Sequence, residues 1–128
     1  MYFKALLAVL FLVAGFSVSQ ADGRSTYLEA CTKATGHFKR MTKGRLTSEE
    51  FCPCMYDNTM TKVEPDYSQF AVKLLHLSVL IVPLSPEGFS AYVTRMNRLV
   101  ASRPDGEQAR LHVSGALRQA QHICMKRS

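Results

Sequence analysis

The sequence predicts an all-α fold: a compact bundle of about five helices, stapled by two disulfides and preceded by a cleaved signal peptide. Three observations carry this. The chain opens with the layout of an export signal. Four cysteines follow it in a short chain. Apolar residues recur at spacings of three and four behind helix-capping signals, and no strand alternation stands out.

The export signal is MYFKALLAVLFLVAGFSVSQA. Lys4 is a short positive region, Ala5 to Phe16 is almost wholly apolar, and Ser19-Gln20-Ala21 fits a cleavage site. The apolar run is about a dozen residues, short of the ~20 that a spanning helix needs. Residues 1–21 are therefore expected to be removed. Residues 22–128 would form one small helical domain, with no transmembrane span left and a periplasmic or secreted location. In that compartment four cysteines read as two disulfides.

Thr26-Tyr27-Leu28-Glu29 has capping-box spacing. It predicts a first helix whose face carries Tyr27, Leu28, Cys31, Ala34, Phe38 and Met41, weakened at Gly36 and followed by a loop at Thr42 to Arg45. Thr47-Ser48-Glu49-Glu50 is a second capping box. It opens a helix through Cys52, Cys54, Tyr56 and Val63, in which Pro53 should produce a kink or a shifted start, and Pro65 a stop. Asp66 to Gln69 marks a third start. Phe70 to Val82 then predicts a helix with a wide apolar face, its polar members Gln69, Lys73 and His76 on one line. The β-branched end, Val79 to Val82, could instead be extended. Ser85-Pro86-Glu87 starts the fourth helix, with an apolar stripe at Phe89, Tyr92, Val93, Met96, Leu99 and Val100. Pro104-Asp105-Gly106 breaks the chain. The last helix carries Ala109, Val113, Ala116, Leu117, Ala120 and Cys124 on one face and ends in Lys126-Arg127, which suit a helix C-terminus.

Cys52 and Cys54, two apart on a helix, point about 200° apart. Each should pair elsewhere. Cys31 can reach either of them across the first hairpin, and Cys54 lies nearer its level. The expected bonds are Cys31–Cys54 and Cys52–Cys124. The competing reading is a soft-metal or thiol-redox centre at Cys52, Cys54, Cys124 and His122, near Met55, Met60 and Met125; such ligands suit Cu(I). However, C-x-C matches neither the usual zinc nor the dithiol spacing. No cofactor is expected.

The formal net charge is +6. From Gly88 to Ser128 there are seven basic and two acidic residues, whereas Asp22 to Glu87 is balanced at eight of each. Arg95, Arg98, Arg110 and Arg118 on the last two helices, and Lys39, Arg40, Lys43 and Arg45 in the first loop, form the candidate partner-binding surface. They point to an acidic protein or an anionic envelope surface. The alternative is a solvated basic surface with no dedicated partner. Export and the lack of a recognition motif disfavour nucleic acid. No G-x-S-x-G, H-E-x-x-H or Gly-rich phosphate loop is present, so a non-enzymatic role is expected.

The segments YLEAC and LTSEEFCPCMYD resemble a loose class of small exported helical bacterial proteins, with a cysteine in the first helix and a C-x-C opening the second. The resemblance spans Tyr27 to Asp57 and departs from the class at Pro53, where a helix-compatible residue is usual. It implies export and a helical fold, and it supplies no catalytic residues. Together these readings predict an interaction protein, such as an immunity factor against a periplasmic toxin or a secretion accessory. The alternative is a periplasmic copper or thiol-redox protein using Cys-Pro-Cys. A cell-wall enzyme, the third class, would need acidic side chains converging on a cleft.

Overall fold

The computed structural model describes residues 23–34, 47–82 and 85–126. These form five α-helices and two short 3₁₀ turns, with no strand among the described residues. Helix α1 spans 23–33, α2 Ser48–Lys62, α3 Ser68–Ser78, α4 Pro86–Ala101 and α5 Gly106–Lys126. The all-α bundle with two disulfides is thus the observed architecture.

Helix α1 begins before the predicted cap, so Thr26 lies inside it. Its first turn is held from outside. Arg24 pairs with Asp57 of α2 at 3.3 Å and lies over the Tyr56 ring at 5.8 Å. These contacts extend the helix upstream of Thr26. The expected continuation through Phe38 and Met41, and the loop at Thr42 to Arg45, lie outside the described residues.

Helix α2 starts where the capping signal places it. Thr47 is extended, its hydroxyl oxygen accepts the Glu50 N–H at 3.3 Å, and its O–H lies 3.2 Å from Glu50 Oε1. The assignment runs on through Pro53 without a break or a shifted start. Proline removes one N–H, which leaves the Glu49 carbonyl without its helical partner. Glu49 is exposed, so water can serve that carbonyl. The helix ends at Val63, and Glu64 ahead of Pro65 is extended, as a residue before proline should be.

After a 3₁₀ turn at Pro65–Tyr67, α3 buries Phe70, Ala71, Leu74, Leu75 and Leu77. The β-branched end is neither α-helical nor extended. It tightens into a 3₁₀ turn at Val79–Ile81, with the Ser78 hydroxyl donating back to the Leu75 carbonyl at 2.6 Å. Helix α4 has the predicted start, Ser85 Oγ accepting the Gly88 N–H at 3.0 Å. Its stripe is only partly used. Met96 and Leu99 are buried, whereas Phe89 is 61% and Val93 40% exposed, because no described element covers that edge.

The α4–α5 turn is built on Arg103. It forms a bidentate pair with Asp105 (2.5 and 3.1 Å), donates to the Asp66 carbonyl at 3.0 Å and lies 4.9 Å over the Tyr67 ring. The two helices meet so closely that a Cβ on Gly106 would lie 1.8 Å from the Val100 carbonyl oxygen. Helix α5 buries Ala109, Val113, Ala116, Ala120 and Cys124, the predicted face, and its small residues let α2 pack along it.

Two disulfides tie this frame, in a pairing that differs from the expected one. Cys31 bonds Cys52, and Cys54 bonds Cys124, with Cα separations of 5.9 and 5.8 Å. The divergence of Cys52 and Cys54 around α2 holds. What differs is the neighbour each meets. Cys52 shares its face with Tyr56, and Tyr27 of α1 lies against Tyr56 with ring centroids 5.8 Å apart. The pairs Cys31·Cys52, Tyr27·Tyr56 and Arg24·Asp57 set one antiparallel register between α1 and α2. Cys54 faces α5, which runs antiparallel to α2: at the far end the Glu64 N–H donates to His112 Nε2 at 3.3 Å.

Candidate functional site

Four cations of the described residues are matched by a nearby acid. Arg24 pairs with Asp57, Lys33 with Glu29, Arg103 with Asp105 and Arg110 with Glu107. Hydrogen bonds from Arg103 and Arg110 hold the Asp105 and Glu107 carboxyls below the usual carboxylate range. The sequence counts Arg103 and Arg110 as basic surplus, but each has its acid two or three residues away. Lys62, Lys73, Arg95, Arg98, Arg118 and Lys126 make no ion pair among the described residues.

Three of these six converge. Arg95 and Arg98 of α4 face Lys73 and His76 of α3 across a groove of about 470 Å³ whose other lining residues are Val72, Leu77, Leu99 and Ser102. No carboxylate of the described residues lines it. Helix spacing produces the arrangement: Lys73 and His76 are three apart on α3, Arg95 and Arg98 three apart on α4, so each pair occupies one helix edge. His76 is oriented by Nδ1, 2.8 Å from the Val72 carbonyl oxygen, and its ring stands edge-on to Tyr27 with centroids 6.0 Å apart. If Nδ1 carries the proton, Nε2 is left for another partner. Lys73 is exposed and His76 half-buried. Permanent charges beside apolar side chains suit an acidic partner that also offers an apolar contact.

Of the predicted surface, Arg95 and Arg98 line the α3–α4 groove, while Arg110 and Arg118 line a separate cleft on α5 with no lining residue in common. Lys39, Arg40, Lys43 and Arg45 lie outside the described residues. Lys73 and His76 enter the site from a signal already present in the sequence, the polar line on the third helix, which there served only to orient that helix.

All four cysteine sulfurs are in disulfides. The Asn58 side chain caps the second bond: its Nδ2 donates to the Cys54 carbonyl at 2.9 Å and lies 3.4 Å from Cys54 Sγ. His122, a member of the alternative metal set, is exposed. Among the described residues no three His, Cys, Asp or Glu side chains are grouped to hold a metal. No helix among them is long and apolar enough to cross a membrane.

No family model, curated protein or solved structure matches the chain.

Proposed function

We propose that this is a small exported protein that acts by protein–protein interaction, docking the α3–α4 groove against an acidic partner in the envelope. The observation that carries the reading is the convergence of Lys73, His76, Arg95 and Arg98 on a groove that no carboxylate of the described residues lines. Two disulfides in a small domain agree with an oxidising compartment. Immunity toward a periplasmic toxin and an accessory role in secretion are the two concrete forms. Both need a rigid, charged face rather than a reaction centre. The copper or thiol-redox reading requires Cys52 and Cys54 as thiolates, and here both are bonded to other cysteines.

The test is site-specific photo-crosslinking from Ser102, at the groove's edge, in the exported protein. A discrete adduct is expected that disappears in Arg95→Glu/Arg98→Glu and weakens as salt is raised, since rim charges act chiefly on association rate and screening. An adduct indifferent to both changes, or none at all, would refute the groove as the docking face.

A further inference from the structure

The second cleft has a different chemistry. It has a volume of about 660 Å³ and is bounded by α1, α2, α3, the second 3₁₀ turn, α4 and α5. This lies within the roughly 300–1,000 Å³ of small-molecule sites. Its apolar lining includes Met55, Leu74, Val82 and Leu117 together with three aromatic rings, Tyr27, Phe51 and Tyr92. Its polar lining is one face of α5, Arg110, Ser114, Arg118 and Gln121, with Ser78 of α3. Arg110, Ser114 and Arg118 are four residues apart, so they stack along the helix at about 6 Å intervals. No carboxylate of the described residues lines the cleft. Glu107 engages Arg110 from outside it, and Arg118 has no ion-pair partner among the described residues.

We infer that this cleft binds a single-chain anionic amphiphile, a long-chain fatty acid. The alkyl chain would lie along the Leu74, Met55 and Val82 side, and the carboxylate would meet Arg118 with the Ser114 hydroxyl beside it. The assignment rests on charge complementarity. An all-apolar hole would accept any hydrocarbon, and a ring of cations would accept any anion. Here an apolar wall of aliphatic, methionine and aromatic side chains lies beside one cationic, hydroxylated helix edge, which fits a molecule with one apolar tail and one anionic head. The partner groove and this cleft share no lining residue, so either can fail without the other.

The experiment is calorimetric titration of the protein, both disulfides formed, with dodecanoate below its micelle threshold, set against dodecanol. Saturable one-to-one binding of dodecanoate is expected, at least tenfold tighter than dodecanol. Arg118→Glu should erase that preference while leaving dodecanol binding unchanged. Arg118 is exposed, so the substitution leaves the core intact, and circular dichroism verifies this. Ser114→Phe, which fills the cleft from its half-buried edge, should abolish binding of both. No saturable binding, or equal binding of both ligands that Arg118→Glu does not alter, would overturn the assignment. So would heat that tracks self-association in sedimentation, which would make a second copy of the chain the occupant.

Discussion

The disulfide pairing can be tested by removing cysteines two at a time. The bond Cys54–Cys124 closes a sequence separation of 70, and Cys31–Cys52 closes one of 21. Loop-closure entropy gives about 4 kcal/mol for the first and about 3 kcal/mol for the second. The double variant Cys54→Ala/Cys124→Ala should therefore lose about 4 kcal/mol, and with a urea m-value of about 2 kcal/mol/M its midpoint should fall by roughly 2 M. Cys31→Ala/Cys52→Ala should lose about 3 kcal/mol by the same model, plus the packing of two fully buried sulfurs. In each variant the remaining two cysteines stay bonded and take up no thiol label. The crossed variants behave differently. Cys31→Ala/Cys54→Ala leaves Cys52 and Cys124, which face different neighbours, so both bridges are lost. The cost is about 7 kcal/mol, comparable with the whole stability of a small domain. Two labelled thiols per chain are expected, with the cooperative transition largely gone. A crossed variant that stays folded and unlabelled would refute the register built on Cys31·Cys52, Tyr27·Tyr56 and Arg24·Asp57.

Other expectations follow from single sites. Thr59 is fully buried and its hydroxyl has no hydrogen-bond partner among the described residues, so Thr59→Val should stabilise the fold by about 1 kcal/mol in urea titration. A loss instead would show that the hydroxyl is satisfied. Gly106→Ala would place a methyl on the Val100 carbonyl and should cost about 1–3 kcal/mol, whereas Gly115→Ala meets nothing within 4 Å and should gain about 0.5–1 kcal/mol. Equal effects at the two positions would contradict the close approach of α4 and α5. Burial pushes the Tyr27 phenol well above its ordinary value. Its folded pKa is raised, so its contribution is complete below the unfolded value near 10. Above that the unfolded chain ionises first, and stability should fall by up to about 1.4 kcal/mol per pH unit. Tyr27→Phe should flatten this alkaline limb; an unchanged slope would assign it to other groups.

Much of this architecture was legible because local chemistry and tertiary packing agree. The Thr47 and Ser85 caps and the small-residue face of α5 depend on neighbours within a few residues, and all appear where the spacing puts them. The disulfide pairing was harder. The angle between Cys52 and Cys54 shows that they diverge, but says nothing of what each meets. A stronger signal lay in matched spacings: Cys31 is four from Tyr27, and Cys52 is four from Tyr56. The basic surface was overcounted because net charge ignores pairing: Arg103 and Arg110 are neutralised by Asp105 and Glu107. It was also undercounted, because Lys73 and His76 join Arg95 and Arg98 only once α3 and α4 are side by side. Pro53 was expected to kink the helix or shift its start, yet the helix runs through it, and its missing N–H frees only the carbonyl of Glu49, an exposed residue that water can reach.

The position of the two sulfur bridges has a mechanical consequence. A pull on the chain outside Cys31 and Cys124 passes from Cys31 into Cys52, across Pro53, and from Cys54 into Cys124. Only a few covalent links carry the load, and α3 and α4 hang outside the tensioned path as a slack loop. Force applied at the ends would therefore stretch little of the protein before reaching the bridges. The surfaces on α3 and α4 would be sheltered from a force applied at the chain ends for as long as both bonds remain oxidised.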